Sequence, residues 1–161
     1  MRILNSELSY VKCNMTFDEI IKKKKKKKTE LDNAAFRSLT DKTFLKEMGI
    51  YVFYENEIPV YIGRTNNIKQ RLKNHLTEDR GYAKATFAFL KAAKKFNGQQ
   101  KLSRKEKFND PDFKQHFLNA LDEISQMKVK FINIDNQEEQ HILEIFFAME
   151  YKTEYNTFKN H

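Results

Sequence analysis

A single cysteine, Cys13, excludes an internal disulfide framework and a cysteine-rich zinc site. No apolar run approaches the ~20 residues of a membrane span. The opening residues, Met1 to Lys12, lack the apolar stretch of a secretory signal. These absences lead us to expect a soluble, cytoplasmic protein without a membrane partner. No internal repeat is visible. At 161 residues the chain suits one domain, or one domain with an extension, and two separate cores are excluded. What is present suffices for a core: 40% of residues are hydrophobic and 13% aromatic.

Thirty basic residues against 22 acidic give a net charge of +8, which favours a polyanionic partner. Most of that excess is one segment. Lys22 to Lys28 are seven consecutive lysines, and without them 23 basic residues face 22 acidic ones. Residues 1–48 read as a basic helical extension. Thr16 and Glu19 have capping-box spacing and open a helix into the lysines. Like charges at i,i+4 repel, so its far end is expected to fray, with a second short helix near Glu30–Leu39. The run either attracts phosphate without regard to sequence or is a solvated tail.

Residues 49–76 read as a hairpin followed by a helix. Gly49 to Tyr54 is a strand by composition, Glu55-Asn56-Glu57 a turn, and Ile58 to Gly63 the returning strand. Alternation puts Ile50 with Val52, and Val60 with Ile62, on faces that meet in a core. Tyr51 and Tyr61 then point together to the opposite side. Taken singly, each tyrosine is also an ordinary strand residue. Asn66 or Asn67 caps the helix, whose buried stripe is Ile68, Leu72 and Leu76. Arg71 and His75 occupy a neighbouring stripe at i,i+4, and Arg64 precedes the helix. Such a helix start attracts anions, although the same spacing also describes a plain solvated face.

Gly49-Ile50-Tyr51, nine intervening residues, Tyr61-Ile62-Gly63, then Arg71 and His75, resembles the GIY-YIG nuclease family. The resemblance covers about residues 49–76 and 128–158. It implies an α+β fold with a small antiparallel three-stranded sheet flanked by helices. It further implies a nuclease domain over residues 49–158 and a metal-dependent endonuclease acting on DNA. A glutamate on a later helix and an asparagine shortly after it belong to the same pattern.

The chain contains a suitable carboxylate. Lys128 to Asp135 reads as a third strand, with Val129 and Phe131 on one face and Ile132 and Ile134 on the other. Asn136 caps the next helix, favoured by Glu138 and Glu139 in its first turn. In the block from His141 to Met149, Glu144 is the only carboxylate among apolar residues. A buried carboxylate needs a partner: a salt bridge, a path to water, or a divalent cation. The resemblance assigns Glu144 to the metal and Asn156 to the terminal asparagine, with Glu150 the weaker candidate for the glutamate. His141 reads as a polar helix residue near the site.

Residues 77–127 are longer than the resemblance requires and read as a helical insertion. Ala83–Phe96 looks helical, and Asn109-Asp110-Pro111 opens another helix with Phe113, Phe117, Leu121 and Ile124 as its stripe. A basic loop with Lys101, Arg104, Lys105 and Lys107 lies between them, and it is equally suited to tracking phosphate or to facing solvent. The expected DNA contacts are Arg64, Lys84, Lys91, Lys95, Arg104 and Lys105.

By resemblance the cofactor is one Mg²⁺ (or Mn²⁺) at Glu144. Tyr51 serves as general base or proton relay, Arg71 stabilises phosphoryl charge, and His75 and Tyr61 position or relay. Gly49 and Gly63 allow close packing, and Asn156 supports the site. No separate DNA-reading module is visible, so specificity would come from the insertion, the lead-in or a partner chain. A compact single-chain nuclease fits a restriction-type role better than repair, with a repair or mobile-element nuclease as one alternative. A non-catalytic nucleic-acid-binding module on the same scaffold is the other. Monomer and homodimer fit the sequence equally.

Overall fold

The computed structural model describes residues 15–78, 85–97 and 102–156. Four antiparallel strands form one sheet: β1 (Arg37–Ser38), β2 (Gly49–Glu55), β3 (Ile58–Thr65) and β4 (Lys128–Asn133), in the order β1-β4-β2-β3. The helices are α1 (Phe17–Asn33), α2 (Ile68–His75), α3 (Thr86–Lys95), α4 (Arg104–Asn109), α5 (Pro111–Ser125) and α6 (Gln137–Glu150). The expected three strands are all present. The fourth, β1, is a two-residue edge strand against Lys128 and Val129. It lies where a second helix was expected, near Glu30–Leu39, and two residues are too few to leave a periodic signal.

Both faces of the sheet are covered. On one face Ile50, Val52, Ile62, Ile132 and Ile134 pack with Leu143 and Phe147 of α6 and with Ile20 and Leu31 of α1. The other face buries Tyr51, Phe53, Tyr61 and Val129 against Leu72 of α2, Phe87 of α3 and Phe117 and Ile124 of α5. The phenols therefore lie opposite the aliphatic set, as alternation required. Val60 does not join Ile62, however. The register slips between Phe53 and Tyr54, so Tyr54 pairs with Pro59 and Phe53 with Tyr61. The bulge turns Val60 to the tyrosine side.

The α1 helix does not fray at the lysines. Its Thr16–Glu19 capping box is formed, and it runs unbroken to Asn33. Lys27 pairs with Glu30 at 2.8 Å and Lys28 with Asp32 at 2.7 Å. At its far end the Lys130 ammonium donates to the Asp32 carbonyl, and Tyr151 Oη donates to the Asp32 carboxylate at 2.5 Å. Burial of Ile20 and Leu31 outweighs like-charge repulsion on the outer face. The expected loop at 101–107 also contains a helix, α4, opened by a second capping box from Ser103 and Glu106. Ser103-x-x-Glu106 spacing was the available sign of it.

Candidate active site

Tyr51 on β2 stands directly across from Gly63 on β3. A Cβ at Gly63 would lie 2.3 Å from the Tyr51 hydroxyl and 2.4 Å from Cζ. Glycine is therefore what lets the phenol cross the neighbouring strand. Gly49 serves the sheet itself, since a Cβ there would meet the Ile132 carbonyl at 2.0 Å. An aromatic box closes round the ring. Tyr61 is 6.4 Å away and His75 is 5.5 Å away between centroids, while Phe87 stacks on Tyr61 at 4.6 Å and 8°. Phe87 comes from the segment expected to be an insertion, and no spacing in the sequence links it to the tyrosines.

Asn67 caps α2 by accepting from the Gln70 amide at 3.1 Å. The helix then delivers Arg71 and His75 to one atom. Arg71 Nε donates to Tyr51 Oη at 2.9 Å, and His75 Nε2 shares a hydrogen bond with the same oxygen at 2.8 Å. His75 is fully buried. Burial first, and the Arg71 charge second, hold its pKa well below the ordinary imidazole value, so the ring is neutral. Its Nδ1 is buried and has no hydrogen-bond partner among the described residues. Burial pushes the Tyr51 phenol above its usual range, and Tyr61 adds to this while Arg71 opposes it. Tyr61 is raised by burial too. Burial acts to lower the Arg71 pKa, but the two phenols outweigh it and leave the guanidinium firmly charged.

Glu144 reaches this cluster from α6. Its side chain is 23% exposed and pairs with Arg64 Nε at 3.1 Å. Burial raises the carboxyl pKa, while Arg64, His141 and Arg71 work against it. Glu144 shares its electrostatic field with both tyrosines and Arg71. Glu150 is exposed at the end of the helix. His141 is exposed and bonds the Gln137 carbonyl through Nδ1 at 2.7 Å, which fits an ordinary polar helix residue. Among the described residues no group of three His, Cys, Asp or Glu side chains could enclose a metal. A lone carboxylate of hard oxygen donors does suit Mg²⁺, which keeps several waters and takes one or two carboxylates plus substrate phosphate. It does not suit zinc, which takes three or four protein ligands.

Asn156 lies against the outer edge of β3. Its Oδ1 accepts from the Ile62 amide and its Nδ2 donates to the Ile62 carbonyl, both at 2.8 Å. Thr153 Oγ1 donates to the same Oδ1 at 2.9 Å. The amide thus holds the strand between Tyr61 and Gly63.

The expected DNA contacts separate. Arg64 faces Glu144 as described. Lys91 is a correction: it is 2% exposed, and its ammonium sits between Glu55 at 3.1 Å and Glu123 at 3.0 Å, where no phosphate reaches it. Lys95 pairs with Glu123 at 2.5 Å on the same side. Arg104 is exposed and lies over the Phe89 ring at 4.3 Å, and Lys105 is exposed beside it. Lys84 and Lys101 lie outside the described residues.

A sheet carrying two phenols, a short helix bringing an arginine and an imidazole to one of them, and a carboxylate on a further helix define a class. The chain belongs to the GIY-YIG family, with residues 47–159 matching its GIY-YIG catalytic domain, and it is a phosphodiester-hydrolysing endonuclease of that type. Among solved structures it is similar to the GIY-YIG N-terminal endonuclease domain of UvrC from Thermotoga maritima bound to its catalytic divalent cation, magnesium. Identity is 21%, covering 88% of this chain and 100% of that one, with a TM-score of 0.38. A point mutant of the same domain, bound to its catalytic divalent cation, is 19% identical over 88% of this chain and 100% of that one, at a TM-score of 0.38. No curated protein matches the chain. No helix among the described residues is long and apolar enough to cross a membrane.

Proposed function

We propose that this endonuclease cuts DNA with one divalent cation, Mg²⁺ or Mn²⁺, held by Glu144. The observation that carries this reading is the Tyr51 hydroxyl, 2.9 Å from a fixed cation at Arg71 and 2.8 Å from a neutral imidazole at His75. When bound, the cation supplies charge neutralisation on the phosphate and lowers the pKa of water. A water oxygen attacks phosphorus as one phosphodiester P–O bond breaks, and the departing oxygen takes a proton from bulk water.

Tyr51 handles the water's proton. Its phenol is too poor a base to act alone, because burial favours the protonated form. Arg71 opposes that preference from 2.9 Å, and His75 Nε2, held neutral by burial and by the Arg71 charge, fixes the direction of the hydroxyl at 2.8 Å. Tyr51 thus orients the attacking water, and the proton it relays leaves to bulk water. Arg71 also faces the phosphoryl oxygens with donors it cannot lose. Tyr61 orients the pair through the aromatic box, and Asn156 fixes the strand that carries Tyr61 and Gly63. Residues 49–158 form the nuclease unit in this reading, with 77–127 as an elaboration. A restriction-type role in the cytoplasm is the biological setting we favour, with cut-site preference supplied by the 77–127 segment.

Plasmid cleavage by the full chain tests this directly. Cleavage should require Mg²⁺ and stop on chelation. Arg71→Ala should lose ~10²–10³ in rate, and Arg71→Lys should recover only part, because lysine keeps the charge without the planar fork. Metal-independent cleavage, or full activity in Arg71→Ala, would contradict the assignment.

A further inference from the structure

The seven lysines of α1 are not equivalent. Ile20 and Leu31 mark the face turned to the domain. Four ammonium groups are engaged at its flanks. Lys23 reaches Glu139 at 3.8 Å, Lys24 lies over Phe146 at 5.3 Å, Lys27 pairs with Glu30, and Lys28 pairs with Asp32 and lies over Tyr151 at 5.0 Å. Lys22, Lys25 and Lys26 remain, at i, i+3 and i+4, on the face opposite Ile20 and Leu31. All three are exposed, and among the described residues none forms a salt bridge. The stripe stands on a helix capped at one end and tied down at the other, so its charges are presented in fixed order.

Its place in the fold is informative. Lys23, Lys26 and Lys27 line a cleft of about 440 Å³ with residues 133–136, at the far end of β4. Asn133 pairs with Gly49, and Gly49 pairs with Thr65. This is the end of the sheet where β3 delivers Arg64 and where α2 begins. The cleft beside the stripe and the Arg64 end of β3 therefore lie at one end of the sheet, with α1 covering one face and Tyr51 on the other.

We propose that Lys22, Lys25 and Lys26 form a second, sequence-independent docking surface for the backbone of the DNA whose cut site lies at Tyr51 and Glu144. The inference rests on the reading of DNA as substrate. Bound phosphates relieve the repulsion between lysines one turn apart and release counterions. An anionic membrane is the less suitable polyanion, because the outward face of Asp18, Lys22, Lys25, Lys26 and Thr29 offers no apolar side chain to insert.

The test is the salt dependence of binding to duplexes of unrelated sequence, using the full chain and Lys22→Gln/Lys25→Gln/Lys26→Gln. The slope of log affinity against log salt should fall by about 2.7, or about 0.9 per lost contact, with equal weakening on every sequence. Single exchanges should each lower it by about 0.9 and keep the fold, since the side chains are exposed. Cleavage at saturating DNA should be unchanged. An unchanged slope, with parent and variant melting at the same temperature, overturns the proposal and leaves the DNA reading standing. Failure of the parent to bind any duplex overturns the DNA reading itself. Loss of binding seen only on phosphatidylserine vesicles would assign the stripe to a membrane instead.

Discussion

Tyr51 works against its surroundings. Every neighbour that fixes the ring also removes water from it, and burial without compensation favours the neutral phenol. Arg71 opposes that preference at the hydroxyl without overturning it, and His75 fixes the direction of the hydrogen bond. Tyr51→Phe keeps the ring and should lower turnover by ~10²–10⁴ while leaving DNA affinity and stability nearly unchanged. Parent-like turnover in that variant would move the proton transfer to Tyr61. Gly63→Ala asks the same question from the facing strand. Its methyl would overlap the Tyr51 hydroxyl, so we expect roughly 1–3 kcal/mol of destabilisation and a loss of turnover comparable to that of Tyr51→Phe. In the double variant the two turnover losses should not add, because both act on one hydroxyl. Additive losses would show that Gly63 acts elsewhere. His75 supplies a pH signature. Its folded pKa lies well below the reference of 6.5, so below that pH the unfolded chain binds a proton that the folded chain refuses. Its contribution to stability is complete above about pH 6.5 and is lost as pH falls, at up to about 1.4 kcal/mol per pH unit. Denaturant melts on either side of that pH should show a smaller acid loss for His75→Gln than for the parent. Equal losses would mean that another group dominates.

The site depends on an edge strand. Among the described residues β3 has a sheet neighbour only on its β2 side, and an open edge is a poor base for a fixed hydroxyl. The Tyr155 amide closes it by donating to the Val60 carbonyl at 3.2 Å, and Asn156 bonds both backbone groups of Ile62. Asn156→Ala should cost about 1–3 kcal/mol and should lower activity through strand position. A variant that melts like the parent would show the clamp to be idle.

Much at this scale was readable from the sequence. Period-two alternation sorted Tyr51 and Tyr61 from Ile50 and Val52, and i,i+4 spacing joined Arg71 to His75. The caps at Thr16, Asn67 and Asn136 were where their residue types put them. Apart from α4, whose capping box was legible at Ser103 and Glu106, the misses share one cause. The bulge at Val60, the two-residue β1, the burial of Lys91 and the stacking of Phe87 on Tyr61 are all set by partners distant in the chain, and local pattern carries no record of them. The lysine helix misled for a related reason: its charges repel locally, while what stabilises it is burial against α6 and β4.

At the scale of the whole molecule, charge and core are kept apart. The excess positive charge sits largely on one helix, and Lys91 and Lys95, two of the expected DNA contacts, are instead paired with Glu55 and Glu123. At the site Arg64 is held by Glu144, the carboxylate that α6 carries there. The most direct measurement compares Mg²⁺-dependent plasmid cleavage and DNA affinity for the parent and for purified, folded Glu144→Ala protein. We predict that cleavage is abolished while affinity is kept or improved, because one negative charge near the phosphate disappears. Undiminished cleavage by Glu144→Ala would contradict the assignment of the metal to this residue, and with it the proposed site.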